Sequence, residues 1–197
     1  MKKRTLSLSP FAAFVSFAAS AAVLTLLTAW ALFGCFVDPV HDQELAALGP
    51  EPGGQSAGPL HRPGQPCLVC HGGAGPASQK FSVAGTVFAI QAEAQPMPSA
   101  TVLLTDSHDA GIAVETNSAG NFYMTPTVYD PYWPLHAQVS FTPRGATTPS
   151  VATMISHIGR NGSCAGCHTV PATNNSPGSV YMYFDPSSVP DGGIPGQ

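Results

Sequence analysis

Charge is scarce in this chain. Of 197 residues, 11 are Asp or Glu and 7 are Lys or Arg, and three of those seven stand together at Lys2, Lys3 and Arg4. No basic face is left to meet a phosphate backbone, so nucleic acid is not an expected partner. Long surface helices laced with charge pairs also lack material, whereas Gly and Pro, 20 of each, favour turns and short strands. There is no His-Glu-x-x-His stretch, the signature of many zinc peptidases. The length suits one core with appendages rather than two large domains.

What is present begins with an address. Lys2, Lys3 and Arg4 precede an uncharged run from Thr5 to Val37, the order of a secretory leader: a basic start, then an apolar stretch. The run closes on Leu32-Phe33-Gly34-Cys35, which resembles the lipobox of bacterial lipoproteins, with Phe33 bulkier than the residue usual at that position. The resemblance implies that Cys35 becomes the lipid-bearing first residue of the mature chain, and that Phe36, not being Asp, directs it to the outer membrane. An uncleaved helical anchor is the alternative, since the run is long enough for a bilayer core of about 30 Å. Either way the remainder lies outside the cytoplasm, because the basic residues stay inside. Residues 36–65, rich in Pro, Gly, Ala and Gln with no apolar period, read as a tether.

The other four cysteines fall into two identical frames, Cys67-Leu68-Val69-Cys70-His71 and Cys164-Ala165-Gly166-Cys167-His168, leaving none for a disulfide. In Cys-x-x-Cys-His the thiols lie about one helical turn apart and reach the two vinyl groups on one porphyrin edge, while the adjacent imidazole comes under the iron. Two haem c groups, covalently held, are therefore expected, with His71 and His168 as proximal ligands. A zinc site made from the two Cys-x-x-Cys pairs is the rival, but zinc has no use for a histidine directly after each pair. A pair of redox disulfides is a third reading.

Five histidines remain: His41, His61, His108, His136 and His157. His61 precedes Cys67 by six residues and His157 precedes Cys164 by seven, so both are candidate distal ligands, each for its own haem or exchanged between the two. Met154 competes at the second site, and Met97, Met124 and Met182 compete more weakly. Arg62 and Arg160, close behind the proposed distal histidines, are candidates for pairing with haem propionates or ordinary surface charges.

Between the two frames the pattern changes. Phe81–Ile90, Ala100–Thr105, Ile112–Thr116, Asn121–Thr125 and His136–Phe141 are short runs rich in β-branched and aromatic residues, and read as strands. Residues 117–121 read as a hairpin turn and 179–184 as one further strand. The stretches around Gly85-Thr86-Val87, Ala100–Leu104 and Thr116–Tyr123 resemble the carboxypeptidase regulatory-like domain, a transthyretin-like sandwich without catalytic function. The expected fold is thus all-β, a small immunoglobulin- or transthyretin-like β-sandwich at 81–157, flanked by loop-rich haem segments at 66–80 and 158–197. A membrane-held dihaem cytochrome passing electrons between redox proteins is the leading expectation. A haem enzyme such as a peroxidase or small-molecule reductase with an open iron, and an adhesion lipoprotein using the sandwich, are the alternatives.

Overall fold

Strand β1 (Val83–Ile90) is buried along all eight residues. Burial without alternation over this length, broken in its apolar character only by Thr86, marks a strand covered on both faces. In this computed structural model, which describes residues 23, 25, 38–51, 56–91, 95–183, 186–190, 193 and 194, β1 is the middle of a three-stranded sheet. Strand β4 (Asn121–Met124) pairs with it antiparallel, Thr86 opposite Asn121, and β7 (Val180–Tyr183) pairs parallel, Val87 beside Val180. A second, wholly antiparallel sheet has the order β3-β2-β5-β6, made of β3 (Gly111–Glu115), β2 (Thr101–Thr105), β5 (His136–Phe141) and β6 (Ser150–Thr153). Here alternation is plain: Val102 and Leu104 are buried while Leu103 faces out.

The two sheets share one core, with Val83, Val87 and Phe122 from the first meeting Val102, Leu104 and Val139 from the second. The chain is an all-β sandwich. Each fully buried Val or Leu contributes about 1.5–3 kcal/mol of apolar transfer. Met97 and Met182 are buried among these side chains, and Met124 is buried as well, as filling.

Three local expectations change. The turn at 117–121 forms, with Gly120 at φ +74 and the Asn117 side chain accepting from the Ala119 and Asn121 N–H groups. It does not close a hairpin, however, because β3 and β4 belong to different sheets. The hairpin is one step earlier, between β2 and β3. Strand β6 was missed in sequence because Ser150–Thr153 is short and lacks a β-branched run. Part of the supposed tether is helical: α1 (Pro39–Leu48) starts on Asp38, whose carboxylate accepts from the Val40 and His41 N–H groups, with Pro39 in the first helical position. It ends at Gly49, φ +64.

By its contacts the chain divides into Met1–Gln43 and Glu44–Gln197, and the seven strands found among the described residues lie in the second unit. Cys35, expected to bear lipid, and Phe184, expected to end the last strand, lie outside the described residues. Among those described, no helix is long and apolar enough to cross a membrane.

The β2–β3 hairpin is organised by Asp106. Burial opposes its charge, but N–H donors from Tyr132, His108 and Ala110, together with the nearby His108 ring, outweigh it and hold the carboxyl below the ordinary range. A folded pKa below the unfolded value of about 3.9 contributes stability that is complete above that pH and is lost as the pH falls through the folded value. Asp106→Asn should therefore flatten the acid limb of a melting-temperature profile below about pH 4. A limb as steep as wild type in circular-dichroism melts would refute this.

Candidate functional site

The first Cys-x-x-Cys-His frame is a single helical turn, α2 (Cys67–His71), entered through Pro66. Residues 72–81 fold back over it: the Ala77 N–H donates to the Cys70 carbonyl and the Phe81 N–H to the His71 carbonyl. This return places the Gln79 carbonyl 2.7 Å from His71 Nδ1. A carbonyl only accepts, so Nδ1 carries the proton and Nε2 is left with its lone pair. Histidines that bind metals are commonly fixed in this way. Phe81 stacks on the His71 ring with centroids 4.1 Å apart, and Tyr123 stacks on Phe81 at 4.6 Å.

The second frame is a 3-10 turn, Cys164–Gly166, closed by Cys167 and His168 N–H donation to the Cys164 carbonyl. His168 repeats the device, its Nδ1 lying 3.0 Å from the Gly178 carbonyl. The loop between is braced by Ser176, whose hydroxyl accepts from the Thr169 N–H and donates to the Thr169 carbonyl. Two unrelated loops thus give both motif histidines the same tautomer.

Both frames dock on β1. The Gly64 N–H, just ahead of α2, donates to Thr86 Oγ1, which in turn donates to Asn121 Oδ1 at 2.7 Å. Asn121 Nδ2 holds the carbonyls of Pro59 and His61, and Asn117 Nδ2 adds a second bond to Pro59. On the other side the Ala84 N–H donates to the Gly162 carbonyl, and Ser163 bridges Ala84 in parallel register. Cys164 then lies against Gly85, where any Cβ would stand 2.7 Å from its sulfur. Gly64, Cys164 and His168 line one small cavity of about 10 Å³, room for a single water at most.

The larger cavity, about 480 Å³, opens beside the first frame and is lined by His61, Cys67, Cys70, His71, Phe81 and Tyr123 among others. Its size falls in the range of small-molecule and cofactor sites, about 300–1,000 Å³. The His61 and His71 rings face each other with centroids 5.9 Å apart and planes 28° from parallel. A ligand nitrogen sits about 2 Å from its metal, so two imidazoles on opposite sides of one ion have centroids about 6 Å apart. His61 and His71 have that spacing but are stacked face to face, and since the nitrogen lone pairs lie in the ring planes, both rings would have to turn to aim a nitrogen at one ion between them. His61 Nδ1 meanwhile accepts from the Gly58 N–H at 3.0 Å, which puts its own proton on Nε2.

No family model, curated protein or solved structure matches the chain. Function must be read from these side chains.

The other expected residues are placed as follows. His157 is not brought to His168: its ring neighbours His136, centroids 5.9 Å apart. Met154 engages through its backbone, accepting from His136 Nε2 and donating to Ala137. Arg62 is committed within the chain, to Glu51 at 2.8 Å, the Leu48 and Gly49 carbonyls and Gln65, instead of waiting for a propionate. Arg160 lies exposed on the loop ahead of the second frame. Thr86, Asn117 and Asn121 were overlooked, since polar residues inside a strand and turn pattern carry no sign of the segment they will hold.

The four described cysteines are unpaired. Burial pushes Cys67 up to about 11, with the Cys70 charge adding to it, and pushes Cys164 up to about 12, with the Cys67 charge adding to it. Redox-active cysteines are tuned the opposite way, whereas a thioether sulfur has no proton to lose. Among the described residues no three His, Cys, Asp or Glu side chains converge on a point, as a tetrahedral zinc site would need. A haem asks less of the chain, because the porphyrin brings four nitrogens and each frame need supply only its imidazole and two sulfurs. Thiols, tautomer and space fit a haem at the first frame. At the second the tautomer fits and Cys167 is exposed, but Cys164 packs against Gly85 beside a cavity of about 10 Å³ and would have to turn outward to share a porphyrin with Cys167.

Two substitutions test this construction. Gly85→Ala should displace Cys164 and cost about 1–3 kcal/mol of overpacking. Asn121→Ala, which strips the bonds to Pro59 and His61, should cost about 1–3 kcal/mol and loosen His61. Urea titration reads both, and a change under about 0.5 kcal/mol in either would count against the anchoring described.

Proposed function

We propose that this chain is an exported c-type cytochrome, holding two haems covalently at Cys67/Cys70 and Cys164/Cys167 and exchanging electrons with other redox proteins at a membrane surface. What supports it is the duplicated construction: two Cys-x-x-Cys turns, each followed by a histidine whose Nδ1 is tied to a backbone carbonyl, packed on one strand. Each haem supplies a reversible one-electron iron couple when bound. The chain's own part is to present Nε2 of His71 and His168 with fixed orientation, and to shield the first site behind the Phe81 and Tyr123 rings. His61, at ligand spacing, is the proposed distal ligand of the first haem. The β-sandwich, resembling carboxypeptidase regulatory-like modules, acts as the scaffold. Lipid on Cys35, or an uncleaved leader helix, is the proposed attachment to the membrane, with the outer membrane the favoured address.

One observation favours the second reading, a haem enzyme. The Gly58 N–H bond gives His61 a protonated Nε2, so as it stands His61 offers a donor toward the sixth position, and ligation requires it to give up that bond. Carbon monoxide decides between the two. If His61 is the ligand, the reduced wild type binds none at the first haem, and His61→Ala opens that site to it. Rapid binding by the wild type at this haem would make the open-site enzyme the better account.

The haem assignment has its own test. Mature protein made with cytochrome c maturation machinery should carry two haems per chain by mass spectrometry, and Cys67→Ala and Cys164→Ala should each reduce the covalent attachment at their own site. A mature chain at bare polypeptide mass, or one loaded with zinc, would end the proposal.

A further inference from the structure

The pairing of β5 with β6 is broken in a way that sets two histidines together. The Met154 N–H still donates to the Ala137 carbonyl, but the next rung joins Leu135 to Ile158 by reciprocal bonds of 2.9 and 2.8 Å. Three residues, Ile155, Ser156 and His157, therefore stand opposite His136 alone. Bulges of this kind re-aim side chains and recur beside functional sites. Ala137, Val139 and Phe141 pack on the core, so His136 and Gln138 lie on the outer face of the sheet, and the bulge lays the exposed His157 ring beside His136.

His136 Nε2 lies 3.0 Å from the Met154 carbonyl, an acceptor only. Its proton is thereby fixed on Nε2, and Nδ1 keeps the lone pair that a metal needs. The two rings are 5.9 Å apart and inclined at 56°. Two imidazoles sharing one ion on adjacent coordination positions have centroids about 5 Å apart, a closure within reach of a small turn of the exposed His157.

We propose that His136 and His157 form a surface site for one divalent transition-metal ion of the copper, nickel and zinc class, with water completing the coordination. Imidazole nitrogen selects this class over magnesium and calcium, and copper(II) stands highest in the affinity order. The site is independent of both Cys-x-x-Cys-His frames, and stands whether or not they hold haem.

Copper(II) is the probe. Calorimetric titration of the purified full-length protein in a glycine-competed buffer should show one ion bound per chain, and His157→Ala should weaken it by about tenfold or more. His157 is exposed and its ring makes no hydrogen bond among the described residues, so this variant leaves the fold intact. His136→Ala should give the same loss, and His108→Ala, whose ring is stacked on Tyr132 in the β2–β3 hairpin, should give none. Copper binding unchanged in His157→Ala, or absent from the wild type under competition, overturns the proposal.

Discussion

The hydrogen-bonded chain from Gly64 through Thr86 to Asn121 is the constraint on which the rest of the site depends. Thr86 and Asn121 are buried polar side chains in a strand pair, and each would be costly if left without partners. Beyond the bond they make to each other, they find them because residues 58–65 lie across the sheet and offer the carbonyls of Pro59 and His61 and the N–H of Gly64. The same bonds that satisfy the sheet fix the segment entering Cys67 and carry His61 to His71. Fold and site are thus secured by one set of contacts, and a change made for one disturbs the other.

The same logic explains why β1 is buried from end to end. An antiparallel strand in a small sandwich ordinarily leaves one face to solvent. Here the core takes one side, the segment before α2 lies over Thr86 and Phe88, and the turn at Cys164 presses on Gly85. Gly85 is the residue that permits this, since its missing Cβ is the space the Cys164 sulfur approaches. Two loops nearly 100 residues apart in sequence thereby pack on the same strand, Gly64 at Thr86 and Cys164 at Gly85.

Much of the sandwich was legible in sequence because its strands are short, apolar and separated by turn residues. Five of the seven strands were readable between the two frames, and β7 in the tail. What escaped has identifiable physical causes. The Asp38-Pro39 start and Gly49 stop of α1 are ordinary capping signals, yet they sit in Pro- and Gly-rich sequence that masks them. β6 depends on pairing with β5, not on its own propensity. The sheet joined by the turn at 117–121 is a tertiary matter, since the run Asn117-Ser118-Ala119-Gly120 reads the same whether it closes a hairpin or crosses the sandwich. At the site, the two Cys-x-x-Cys-His frames stood out by spacing alone. The partners of their histidines did not, because a carbonyl eight or ten residues onward has no residue type to announce it. Proximity in sequence pointed to His61, whose ring lies beside His71, and to His157, where a bulge, a feature of pairing register, turns the side chain to His136 instead.

The two frames are chemically alike and physically unlike. The first stands over a cavity of about 480 Å³ with a facing imidazole and two stacked rings. The second has a closed floor of about 10 Å³ and an exposed Cys167. On the proposed reading, solvent exposure and axial ligation are the two levers that separate haem potentials. Water stabilises the more highly charged oxidation state of a surface haem, whereas a sheltered site removes that stabilisation, and a second imidazole pulls the other way from a weaker ligand. A repeated motif on a single strand therefore does not imply two equivalent centres. The asymmetry arises from what covers each side of β1, a property of the sandwich and not of the ligand sequence.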